Sequence, residues 1–146
     1  MENRFLRLIE ALVRHEVRFI VVGGVAAVLQ RVPVNTQDFD LVHDRATDNV
    51  TRLLAVLEEL DARYRDDPRN QTGNLKFDLL GAIDWGGGYD ELLPFSEVLN
   101  VGEYAVRVLT LEKLAEIKRH LSRPKDKLML LHLEAALEER AKAESD

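Results

Sequence analysis

One ordered run, residues 19 to 42, constrains this chain more than any other feature. Phe19-Ile20-Val21-Val22 is apolar and largely β-branched, and Gly23-Gly24 interrupts it. Val25 to Gln30 read as a short helix, Pro33 and Asn35 mark a loop, and Asp38-Phe39-Asp40-Leu41-Val42 follows. The first segment has the pattern of a strand buried on both faces. In the last, successive side chains point to opposite faces, so Asp38 and Asp40 share one face about 6–7 Å apart. Phe39 and Leu41 turn the other way, toward a core. Two carboxylates on one face repel each other unless a cation or a proton intervenes. A hard divalent ion with oxygen ligands suits that arrangement and leaves room for substrate phosphates. The glycines precede a helix start, where exposed amides and the helix dipole favour an anion. Glycine also lets a phosphate approach the backbone closely. A tight turn of positive φ would require the same residues, and the dinucleotide fingerprint G-x-G-x-x-G is absent.

The flanking sequence supplies the rest of a mixed sheet with helices packed on it. Phe5, Leu8, Ile9, Leu12 and Val13 recur at helical spacing within residues 3–16. Thr47 or Asp48 is placed to cap a helix carrying Val50, Leu53, Leu54, Val56, Leu57 and Leu60. Ala62 to Arg65 read as a short strand, and Asp66 to Gly73 as a polar loop. Leu75, Phe77 and Leu79 alternate with Lys76, Asp78 and Leu80 as in a half-exposed strand. Asp84 to Pro94, with Gly86-Gly87-Gly88, read as a mobile loop. Val98 to Leu109 form a hairpin turning near Gly102-Glu103. Thr110 caps a helix over Leu111–Leu121, and Pro124 begins another that runs to about Lys142. No repeat or linker divides the chain, so residues 1–146 are expected to form a single domain.

Composition removes several function classes. There is no cysteine, which excludes disulfides, thiolate metal sites and a cysteine nucleophile. The net charge of −6 argues against broad binding to nucleic-acid backbones. No apolar run approaches the ~20 residues that span a bilayer. Met1-Glu2-Asn3-Arg4 leads into an amphipathic pattern rather than a signal peptide, so a cytoplasmic protein without membrane contact is expected. His15, His43, His120 and His132 lack metal-ligand spacing, and Ser96 and Ser122 lack an evident base. The lone Trp85, beside three glycines, reads as a packing residue or as a stacking surface in a lid.

The order of strand, Gly23-Gly24, short helix, loop and Asp38-x-Asp40 resembles the nucleotidyltransferase superfamily of DNA polymerase β. Within it, the pattern is most similar to minimal AbiEii-type enzymes of toxin–antitoxin and phage-defence systems. The resemblance implies an α+β fold: a nucleotidyltransferase-like mixed sheet flanked by helices, with a C-terminal helical pair. It implies that Asp38, Asp40 and Asp78 ligate Mg²⁺ or Mn²⁺, with Asp78 completing the second site or serving as base. Gly23 and Gly24 would cradle the phosphates of an NTP, with Thr36 bonding nearby. Leu111 to Lys118, followed by Arg123-Pro124-Lys125-Asp126, is similar to the helix whose lysine faces the triphosphate. Lys118 would then neutralise phosphate charge, and Asp126 would orient it. The implied activity transfers NMP from an NTP to a hydroxyl of a protein partner or of an RNA such as tRNA. The sequence also departs from the pattern. Gly24 stands where many relatives carry serine, Val34 where they carry arginine, and Met129 where they carry a further aspartate. Those departures favour the alternative, a catalytically weak nucleotide-binding or antitoxin module of the same fold.

Overall fold

The computed structural model describes residues 3–36, 38–66 and 76–145. Its elements, in chain order, are α1 (Asn3–Arg14), β1 (Phe19–Val22), α2 (Gly23–Leu29), β2 (Asp38–His43), α3 (Thr47–Asp66) and β3 (Lys76–Leu80). A two-stranded ribbon of β4 (Ala82–Ile83) and β5 (Gly87–Gly88) leads into α4 (Tyr89–Leu92) and a 3₁₀ turn at Leu93–Phe95. The hairpin β6 (Ser96–Val101) and β7 (Tyr104–Leu109) precedes α5 (Leu111–Arg119) and α6 (Pro124–Ser145).

Five strands form a mixed sheet in the order β3-β2-β1-β7-β6. β1 runs antiparallel to β2 and parallel to β7, β2 runs parallel to β3, and β6 closes antiparallel on β7. All four residues of the central β1 are buried, as expected for a strand covered on both faces. On α1, Phe5, Leu8, Ile9 and Leu12 are buried with helical spacing, and the Phe5 ring packs 5.5 Å from that of Phe39 on β2. Each such large apolar side chain contributes roughly 1.5–3 kcal/mol on burial. α5 packs against α6 and α2, which gives the expected C-terminal helical pair. Thr110 caps α5, its hydroxyl accepting from the Lys113 amide at 3.2 Å. Buried Asn49 ties α3 to the sheet edge: it accepts from the Arg18 amide at 2.7 Å and donates to the carbonyls of Arg18 and Asp44.

Two segments differ from the sequence reading. Residues 62–65 continue α3 rather than forming a strand. Leu53, Val56 and Leu60 set a helical stripe, and Ala62, Arg63 and Arg65 are residues that prolong a helix readily. Residues 84–94 are not a loop throughout, for they include β5, α4 and the 3₁₀ turn. Leu92, fully buried, seats this segment on the core. Of the stretch Asp66 to Gly73 read as a polar loop, Asp66 ends α3 and residues 67–73 lie outside the described residues. Among those described, no helix is long and apolar enough to cross a membrane.

Candidate active site

The carboxylates meet because of strand register. β2 and β3 are parallel with Asp40 opposite Asp78 and Asp38 opposite Lys76. Register partners in a parallel pair point to the same face, so Asp78 joins the face that Asp38 and Asp40 already share. Asp78 and Asp38 both bear on the Asp40 carboxyl from that face. Burial, Asp78 and the charge of Asp38 together push the Asp40 carboxyl up to about 6, against the opposing pull of Lys118. Asp38 and Asp78 are exposed, whereas Asp40 is partly buried beneath them.

Gly23 and Gly24 are dictated by what they face. Gly23 has φ +68, and a Cβ there would stand 2.8 Å from Asp40 Oδ2. Gly24 faces Thr36 so closely that a Cβ would lie 2.7 Å from its Oγ1 and 2.8 Å from its Cβ. The Thr36 hydroxyl donates to the Asp38 carbonyl at 3.1 Å. The two glycines thus let the loop end at Thr36 and the Asp40 carboxylate press against the start of α2. Gly24→Ala is expected to cost about 1–3 kcal/mol, since the Thr36 Cβ is backbone-proximal and cannot swing away. Urea denaturation would check this, and Gly24→Ala combined with Thr36→Gly should recover part of the loss. An Ala variant as stable as the parent would show the contact to be looser than described.

Lys118 and Asp126 complete the wall opposite the carboxylates. Lys118 Nζ donates to Asp126 Oδ1 at 2.7 Å, and Arg123 Nε donates to Asp126 Oδ2 at the same distance. Asp126 is fully buried. The Arg123 bond, reinforced by Lys118, holds its carboxyl down at about 2 despite that burial. Two open cavities of about 620 and 610 Å³ meet at Gly23, Asp40, Lys118 and Arg123. The first extends past Ile83, Asp84 and His120, the second past Gly24, Thr36, Asp38 and His132. Asp78 lines neither cavity and acts on them through Asp40.

Gly23, Gly24, Thr36, Asp38, Asp40 and Lys118 therefore line one cleft, whereas Asp78 shares the strand face of Asp40 without lining it. Arg123 lines both halves as well. Among the described residues no group of three or more His, Asp or Glu side chains is placed to hold a metal ion by itself. The donor set still fits a cation that borrows ligands. Mg²⁺ is commonly bound through one or two carboxylates together with substrate phosphates. The raised Asp40 carboxyl, with Asp38 and Asp78 on the same face, marks where positive charge is wanted.

The fold is α+β, a mixed five-stranded sheet flanked by helices, with Asp38 and Asp40 facing Lys118 and Arg123 across its cleft. The chain is similar over 98% of its length, and over 92% of the other chain, to the crystal structure of a candidate nucleotidyltransferase from Thermotoga maritima. The TM-score is 0.54 at 18% sequence identity, a likeness of fold. No protein-family model and no curated protein matches the chain.

Proposed function

We propose that the protein is a metal-dependent nucleotidyltransferase of the minimal AbiEii type, moving NMP from an NTP to a hydroxyl of a protein or RNA acceptor in a toxin–antitoxin or defence setting. The observation that carries this reading is the meeting of Asp38, Asp40 and Asp78 on one face across a cleft from Lys118. In the reaction, the acceptor oxygen bonds to the α-phosphorus, the bond to the bridging oxygen breaks, and pyrophosphate leaves. Asp38, Asp40 and Asp78 would hold Mg²⁺ or Mn²⁺, which supplies charge neutralisation at the phosphates and acidifies the attacking hydroxyl. Lys118, held by Asp126, faces the leaving phosphates, and Arg123 stands beside it. Gly23 and Gly24 keep side chains out of the phosphate path. Asp78, exposed on the same face, would complete the second metal site or accept the hydroxyl proton.

The alternative, a nucleotide-binding or antitoxin module that catalyses little, is favoured by Val34 and Met129, which stand where relatives of this pattern carry arginine and aspartate. Labelled NTP, Mg²⁺ and either candidate protein partners or total tRNA separate the two. Transfer is expected, and Asp38→Ala should lower it by about 100-fold or more through loss of transition-state charge stabilisation. Nucleotide binding without labelled acceptor for all four NTPs would establish the module.

A further inference from the structure

We propose that Trp85 and His120 form the platform on which the nucleobase stacks, in the part of the cleft that runs away from Lys118. This rests on the reading of the cleft as a nucleotide site and adds where the base goes.

The two rings are 35 residues apart in sequence yet stack with centroids 4.5 Å apart and planes inclined by 14°. His120 caps the C-terminus of α5, two residues beyond Lys118, and lines the first cavity together with Lys118 and Asp40. Lys118 and His120 thus line one cavity of about 620 Å³, a volume in the range of small-ligand sites, and Trp85 reaches its rim by stacking on His120.

Trp85 is not a core residue. It is 63% exposed, although the tryptophan side chain is among the most costly to leave in water. Its backbone has φ +64, a region that bulky residues rarely enter and that recurs at ligand clamps. The surrounding turn enforces this conformation. Gly86 donates to the Ile83 carbonyl at 3.2 Å, and a Cβ on Gly86 would stand 2.7 Å from the Ile83 side chain. The ribbon β4–β5 therefore holds the indole out over His120 rather than folding it inward. Asp84, just before Trp85, lines the first cavity together with Arg123, so the ribbon tip borders the cationic wall of the cleft. An exposed, strained, prestacked aromatic pair at the edge of a phosphate-sized cleft matches what a planar heterocycle needs, because every base offers a π face.

Trp85 is the chain's sole tryptophan, so its emission reports this position alone. With Mg²⁺ present, ATP, GTP, CTP and UTP are each expected to quench it, while tripolyphosphate binds without quenching. By calorimetry, Trp85→Leu should weaken NTP binding by about tenfold to a hundredfold and leave tripolyphosphate binding unchanged. Trp85→Phe should retain most of the affinity, and His120→Ala should fall between. If Trp85→Leu binds NTP as the parent does while tripolyphosphate still binds, the platform is overturned and the proposed function stands. If Trp85→Leu weakens NTP and tripolyphosphate alike, the pair is a structural clasp and the platform is overturned. If neither ligand binds the parent protein, both readings fall together.

Discussion

Asp40→Asn is expected to stabilise the metal-free protein by about 1–2 kcal/mol near pH 8 and to leave it unchanged near pH 3, a difference that follows from linkage, reduced because the half-buried carboxyl is screened by solvent. The Asp40 carboxyl is raised from an ordinary value of 3.8 to about 6 by burial, by Asp78 and by neighbouring negative charge. A folded-state value above the unfolded one means that the fold binds the proton more tightly. The stability this contributes is complete below about pH 4 and is lost as the pH rises through about 6. Above that, the folded protein carries ionised carboxylates crowded on one face, which the unfolded chain relieves. Asparagine is a permanent uncharged stand-in for the protonated form. Urea denaturation in the presence of EDTA, from acid to mildly alkaline pH, measures the effect. Equal stability of the two proteins at high pH would sink this account of the cleft. A divalent cation should abolish the difference in the parent protein's favour, and Asp40→Asn should lose nucleotidyl transfer. The same crowding that weakens the apo fold is thus what makes a cation bind there.

Much of this site could be read before any coordinates, because its logic is short-range. Alternation along Asp38-Phe39-Asp40-Leu41 assigns faces from the period of two alone, and Phe39 and Leu41 are indeed fully buried. Gly23 announces itself because its φ of +68 excludes most other residues. Asp78 was assignable to the same face only by its alternation; its position opposite Asp40 depends on a parallel register that no local signal encodes. The readings that failed were those in which local preference competes with tertiary packing. Tyr64 suits a strand, yet α3 carries through it because the stripe of Leu53, Val56 and Leu60 already faces the core. Three successive glycines suggest a loose loop, yet Gly86 and Gly87 are needed for the close approach of Ile83 and Glu91. The stack of Trp85 on His120 joins a ribbon tip to a helix end, and nothing in their spacing foretells it. Lys118, Arg123 and Asp126 are close in sequence, but only the turn between α5 and α6 makes Asp126 the buried centre that both cations serve.

That centre carries the second large effect. Asp126→Asn is expected to destabilise the protein by about 2–3 kcal/mol at neutral pH, somewhat below the usual cost of breaking a buried ion pair. The reduction arises because Arg123, 63% exposed, can return its charge to water, whereas Lys118, only 20% exposed, cannot do so fully. The Asp126 carboxyl is held at about 2, below its ordinary 3.8. Its contribution is therefore complete above about pH 4 and disappears as the pH falls through about 2, so the parent and the variant should converge only in strong acid. Replacing both buried partners, Lys118→Met with Asp126→Leu, should cost less than Asp126→Asn alone, because no charge is then left stranded. Urea titrations of the three proteins compare the two costs directly, and a loss under about 1 kcal/mol in Asp126→Asn would reduce the cluster to a surface ion pair. The functional consequence runs through Lys118. Released from its 2.7 Å bond, the ammonium is free to move toward Asp40, whose charge it already favours. Asp126→Asn should then lower the pH at which Asp40 ionises and weaken tripolyphosphate binding, with no change in any group that touches the phosphate itself.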